Sequence, residues 1–317
     1  MATYLVTGGA GFIGSHIVQK LVEDGQTVRV LDDFSTGQEQ NLAALRDRTV
    51  CHKEDIRSLA GIAPHFSGVD YVIHLAALSS VARSLEDPIA SNAVNLGGTL
   101  NVLVAARDAG VKRVVFAASA AAYGDSPVMP RVESDTPRPL SPYALTKLAG
   151  EYYCAVFTRV FGLETVALRF FNIFGPRQNP DSPYTGVLSK FIMAYLTGKT
   201  PVIFGDGEQS RDFTYVANVV DATLRAATAP GAAGRVINVG TGVSHTLNQT
   251  VDLLNRVFGR KVAPQYGPPR RGDVRESQAN VALARELLGY QPSVGFEDGL
   301  RQTVAWCRSL LTAGAPS

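Results

Sequence analysis

Within the stretch SPYALTKLAGEYY, residues 141–153, Tyr143 and Lys147 stand four positions apart. Ser141 is suited to cap a helix and Pro142 to occupy its first position, where a missing amide hydrogen costs nothing. Ala144, Leu145, Leu148 and Ala149 then favour its continuation, so Tyr143 and Lys147 share one face. A phenol ordinarily keeps its proton to about pH 10, and a nearby ammonium group favours the phenolate. Bringing such a base near neutrality takes about 4 kcal/mol, of which Lys147 could supply part. The chemistry is abstraction of a proton from an alcohol. The same spacing recurs at Tyr195 and Lys199, where Gly198 predicts a helix end and no neighbouring motif supplies a task, so that pair reads as structural.

A second chemistry is written near the amino terminus. VTGGAGFIGSHIV places Gly8, Gly11 and Gly14 between an apolar run and a helical pattern. Glycine permits the tight turn and the close approach of a pyrophosphate, and the amides of Phe12 and Ile13 at the helix start face the anion. The acidic pair Asp32 and Asp33 closes the next apolar run, as a dinucleotide site requires. Asp32 is expected to accept hydrogen bonds from the adenosine ribose. LDDFSTGQ holds no Lys or Arg to receive a 2′-phosphate, which favours NAD over NADP.

The elements that must position these residues follow from alternation. TYLVTG, TVRVLDD, VDYVIHLAA, KRVVFAAS and ETVALRFFNIFG are short Val-, Ile- and Leu-rich runs separated by helical patterns, the longest at 88–109 and 142–161. Continuous apolar strands are buried on both faces, which predicts an α/β fold with a doubly wound parallel sheet and a smaller α/β substrate domain. The expected division gives 1–170, with return segments at 212–242, to the dinucleotide, and 171–211 with 243–312 to the substrate. At 317 residues, 45% hydrophobic and net charge +2, the chain has ample core and no basic footprint for nucleic acid. Three widely spaced cysteines and five scattered histidines predict neither a disulfide framework nor a metal site. A cytoplasmic protein without membrane partners is expected, since no basic leader with a long apolar run opens the chain. The apolar helices at 88–109 and 142–161 suggest a homodimer.

With the glycine cradle, VIHLAA, FAASAAAYGD and SPYALTK in this order, the chain resembles the extended short-chain dehydrogenase/reductase superfamily over nearly its whole length. Within that group it is similar to the UDP-galactose 4-epimerases, most of all those acting on UDP-N-acetylglucosamine. The resemblance implies that Ser119 hydrogen-bonds the sugar's 4-hydroxyl beside Tyr143 and Lys147. It implies further that Leu75 and Ala76 of VIHLAA touch the cofactor, and that Asp55 and Ile56 flank the adenine. Left to themselves, Asp55 and Ile56 read as solvent-facing. On the substrate side it implies Asn172 for the nucleotide sugar, Arg211 and Arg270 for the diphosphate, and Asp273 for the uridine ribose. Guanidinium groups suit that task because they donate paired bonds in a planar fork.

The same motifs narrow the reaction. Relatives that eliminate water or carbon dioxide carry acids before the YG pair, where this chain has Ala120, Ala121 and Ala122. Ala120 also replaces a second serine found in some N-acetyl-type epimerases. At Ser277, relatives restricted to glucose and galactose carry a tyrosine, so a serine implies room for an acetamido group. The expectation is NAD-dependent 4-epimerisation of UDP-GlcNAc and UDP-GalNAc, with UDP-glucose and UDP-galactose also accepted. UDP-glucuronate 4-epimerisation, a net oxidoreductase acting on a nucleotide sugar, and a noncatalytic dinucleotide sensor stay open.

Overall fold

The computed structural model describes residues 1–179, 186–269 and 274–313. Its centre is a seven-stranded parallel sheet. The strands are β1 (Thr3–Thr7), β2 (Thr27–Asp32), β3 (Thr49–Lys53), β4 (Tyr71–His74), β5 (Arg113–Ser119), β6 (Glu164–Phe170) and β7 (Arg235–Val239). They lie in the order β3-β2-β1-β4-β5-β6-β7, every neighbouring pair parallel. The chain order reverses between β1 and β4, the switch point where doubly wound sheets hold ligands beyond the carboxyl ends of their strands.

Alternation within each strand explains why both faces need cover. Val6, Val30, Ile73, Val115 and Leu168 enter one buried cluster, with α1 (Phe12–Glu23) packed against it. Leu5, Leu31, Val72, Val114 and Ala167 point the other way, into a cluster shared with α2 (Pro88–Asp108) and α3 (Pro142–Phe161). By length and composition α2 could cross a membrane, but Val102, Leu103, Ala105 and Ala106 are buried in this second cluster, which accounts for its apolar character. Helices on both faces of a largely apolar sheet are the arrangement the sequence predicts.

α3 begins and ends for local reasons. The Ser141 Oγ accepts from the Ala144 amide at 3.2 Å, Pro142 follows, and Gly162 closes the helix with φ +74°. It lies close on β5, because a Cβ at Gly150 would come within 2.5 Å of the Phe116 ring. In α2 the hydrogen bonding widens to the π type over Ala93–Gly98, a local expansion common beside functional sites.

Beyond β6 the chain builds α4 (Val187–Leu196), α5 (Val216–Thr228) and α6 (Leu247–Phe258). α5 packs its Val219, Ala222 and Ala226 into the first cluster beside α1. Short strand pairs fasten the remainder: Ile173–Phe174 with Thr214–Tyr215, Ser210–Arg211 with His245–Thr246, and Val202–Phe204 with Gln265–Gly267. RVINV does return to the sheet as β7. Tyr195 is buried and donates to Asn255 Oδ1 at 2.9 Å, and Lys199 lies past the end of α4, so this second tyrosine–lysine pair is structural.

Candidate active site

The glycine loop between β1 and α1 is fixed by contact as much as by conformation. Gly8 has φ +71°, and a Cβ there would lie 2.7 Å from the Ala76 amide nitrogen. At Gly14 a Cβ would come within 2.1 Å of the Gly8 carbonyl oxygen. No side chain caps α1 at Gly11 and no acid occupies its first turn, which leaves the amides of Phe12, Ile13 and Gly14 to an anion. Leu75 and Ala76 face this loop from the end of β4, where the Leu75 amide donates to Thr7 O at 3.1 Å.

Asp32, 6% exposed at the end of β2, accepts from the Ala10 amide (2.9 Å) and the Phe34 amide (2.9 Å). Burial holds its carboxyl above the usual range, against those two hydrogen bonds. Each oxygen keeps a lone pair for a ribose hydroxyl. Asp33 turns away and accepts from Ser35. A diphosphate cradle with a carboxylate at the neighbouring strand end fits NAD, which when bound supplies a hydride acceptor and a positive charge.

Two strands from β1, Ser119 ends β5, Tyr143 lies at the start of α3, and Lys147 is one turn further along. The Tyr143 phenol is near enough to Ser119 for that hydroxyl to favour its ionised form, and the Ser119 Oγ accepts from the Ala121 amide at 3.2 Å. Lys147 is 4% exposed; its Nζ donates to Ala117 O at 2.8 Å and lies 5.0 Å from the centre of the Phe116 ring. Burial pushes its pKa down to about 8. Burial likewise raises the Tyr143 phenol, with the Ser119 hydroxyl opposing it. The sequence reading has Lys147 pulling that phenol down. Here burial is the largest influence on the phenol, and the lysine's donated bond goes to a backbone carbonyl.

The substrate side gathers at the ends of β6 and β7. Asn172 follows β6 with its side chain exposed, and its carbonyl accepts from the Thr214 amide at 2.9 Å. Arg211 Nη1 donates to Ser210 O at 2.8 Å. Ser277 runs alongside: its amide donates to Ser210 O at 3.1 Å, and its carbonyl accepts from the Asp212 amide at 2.8 Å. Ser277 and Arg211 are thus on adjacent backbones. Arg270 and Asp273 lie outside the described residues.

Residues 4–240 match the sequence pattern of the NAD dependent epimerase/dehydratase family. The chain belongs to this family. It is 40% identical over 310 residues to the UDP-glucose 4-epimerase of Mycolicibacterium smegmatis, covering 96% of this chain and 98% of that one. It is 33% identical to the UDP-glucuronate 4-epimerase of Thermodesulfobacterium geofontis, with 97% of each chain covered. Among solved structures, the UDP-N-acetylglucosamine 4-epimerase of Methanobrevibacter ruminantium in complex with UDP-N-acetylmuramic acid superimposes with a TM-score of 0.94 at 40% identity, covering 98% of this chain and 99% of that one.

As a member of the family the chain takes NAD, and the solvent-facing reading of Ile56 is corrected by the fold. Ile56 is 4% exposed and belongs to the second core cluster, pressed against Gly98, rather than facing solvent. The Asp55 carboxylate is engaged by the Arg57 guanidinium, which holds it below the usual range. Positioning residues that pattern reading missed stand behind the cleft. Buried His74 bridges Thr7 Oγ1 (2.7 Å) and Thr99 Oγ1 (2.9 Å). Because the Thr99 hydroxyl donates to Asn95 O, it accepts from His74 Nε2–H, and Nδ1 accepts from Thr7. Asn95, in the widened turn of α2, holds the Leu78 backbone from both sides and donates to Thr146 Oγ1. A histidine ending an apolar strand was the available signal for the first; nothing in the sequence marked the second.

Proposed function

We propose that this chain interconverts UDP-GlcNAc and UDP-GalNAc at carbon 4 and also accepts UDP-glucose and UDP-galactose. The coarser statement, that the chain is an NAD-dependent UDP-sugar 4-epimerase, rests on its family and on relatives that share the reaction across different sugars. The observation that carries the reading is that Ser119 ends β5, Tyr143 and Lys147 stand one turn apart on α3, which packs on β5, and the glycine cradle ends β1, two strands away in the same sheet. The Tyr143 phenolate, directly or through Ser119, removes the 4-hydroxyl proton and later returns it to the 4-keto sugar. Lys147, buried beside the cleft, holds positive charge near that oxygen. Arg211 tethers the diphosphate while the sugar presents its other face.

Acceptance of N-acetylated sugars rests on Ser277, beside Arg211, where a small side chain leaves space for a 2-acetamido group without excluding the plain sugars. The Methanobrevibacter relative, in complex with an N-acetylated sugar nucleotide, supports that reading. Asn172 weighs against UDP-glucuronate, since related uronate epimerases tend toward threonine there. The same reading assigns 1–170 with 212–242 to the cofactor and 171–211 with 243–312 to the sugar nucleotide. It also includes a homodimer, because Leu145, Tyr152, Val156 and Val160 form an exposed apolar stripe on α3. The test is incubation with UDP-GlcNAc, UDP-glucose and UDP-glucuronate separately, with proton NMR of the products. Conversion of UDP-glucose alone defeats the reading of Ser277. Rapid exchange of NAD with solvent at each turnover favours a net oxidoreductase instead.

A further inference from the structure

Asp212 follows Arg211 and is fully buried, at 0% exposed. One carboxylate oxygen accepts from the Thr241 amide (2.8 Å) and the Thr241 hydroxyl (2.7 Å). The other accepts from the Gly242 amide (2.9 Å) and the Ala279 amide (3.2 Å). Its own amide donates to Ser277 O at 2.8 Å. One side chain therefore joins three segments: the Arg211 strand, the exit of β7 and the backbone that carries Ser277. The fit is close, since a Cβ at Gly240 would come within 2.8 Å of Asp212 Oδ2. Neighbours on an extended strand point to opposite sides, so a carboxylate anchored inward aims the arginine outward.

We propose that Asp212 is a positioning residue for the nucleotide-sugar site, holding Arg211 and Ser277 at the spacing that a nucleoside diphosphate and its sugar require. The inference rests on the nucleotide-sugar reading above and adds to it the group that sets the geometry. Asparagine in this place has one acceptor oxygen and turns an NH2 group toward amide donors, so either the pair of bonds from Thr241 or the pair from Gly242 and Ala279 is lost. The dinucleotide cradle should not feel the change. It sits on β1, four strand spacings or roughly 19 Å from β7.

The test is calorimetric titration of the NAD-loaded protein with UDP, which needs no turnover, combined with assay of bound NAD and the KM and kcat for UDP-sugar. Asp212→Asn is expected to bind UDP about 10- to 100-fold more weakly, with KM raised in parallel, kcat little changed and NAD content intact. Thr241→Val, which removes one hydroxyl donor and keeps the shape, is expected to weaken UDP binding about fivefold. Should Asp212→Asn fail to fold, the Thr241 variant decides the matter. Unchanged UDP affinity in a folded variant overturns the inference, as does parallel loss of UDP and NAD, which marks general loosening. Failure of the unaltered protein to bind UDP overturns the nucleotide-sugar reading itself, and the inference with it.

Discussion

The Tyr143 oxygen is subject to opposed influences: burial favours its protonated form, and the Ser119 hydroxyl favours its ionised form. Further help must come from positive charge, and Lys147 is a buried cation on the same helix face. Removing a cation raises a nearby phenol's pKa, so in Lys147→Ala the acid limb of the kcat profile moves to higher pH. At neutral pH kcat should fall about 100-fold or more, with partial recovery on raising the pH. An unshifted limb would show that the ammonium does not act on the phenol. Gly14→Ala forces a methyl onto the Gly8 carbonyl; loss of bound NAD and about 2 kcal/mol of stability are expected, checked by nucleotide release on denaturation and by urea unfolding. These residues were legible because helix periodicity and glycine geometry are local. Ile56 was not, because its burial depends on Gly98, far along the chain, leaving space for its side chain.

Among elements, α3 carries the chemistry, and its attachment to the sheet sets where that chemistry occurs. Besides the approach at Gly150, Glu151 makes paired hydrogen bonds to Arg169 of β6, at 2.9 and 2.7 Å, with both side chains under 5% exposed. Arg169 also lies 4.5 Å from the centre of the Tyr123 ring. Glu151→Gln leaves that guanidinium without its counter-charge, and a loss of about 3–5 kcal/mol in urea unfolding is expected; a loss within experimental error would show the pair to be dispensable. The bounds of α3 and the alternation of the strands were readable from the sequence, since caps and two-sided apolar runs are written within each segment. The two-residue strands near Arg211 were not. They have no periodicity of their own and exist because Asp212 and the Ser277 backbone hold them in place.

For the molecule as a whole, the buried network beneath the cleft couples stability to pH. Burial, with Lys147 nearby, pushes His74 down to about 3, against about 6.5 in the unfolded chain. A histidine lowered on folding stays neutral in the fold, so below about pH 6.5 only the unfolded state takes up its proton. Stability is therefore lost as pH falls, by about 1.4 kcal/mol per unit between about 6.5 and 3, and this group adds no pH dependence above that window. Denaturation of the protein and of His74→Gln at pH 7.5 and pH 5 should show the steeper loss in the unaltered chain; equal losses would exclude His74 as the source. The parallel sheet, the NAD cradle and the tyrosine–lysine pair were all present in the sequence, whereas this network depends on contacts between β1, β4 and α2 that only folding creates. The central claim is that the Tyr143 oxygen moves the proton of the sugar's 4-hydroxyl. It is tested most directly by comparing Tyr143→Phe with the unaltered protein, both assayed for bound NAD, on UDP-GlcNAc and UDP-glucose, with 4-epimer formation followed by proton NMR. Equal NAD content with turnover reduced about a thousandfold is the predicted result; equal turnover in the two proteins would contradict the account.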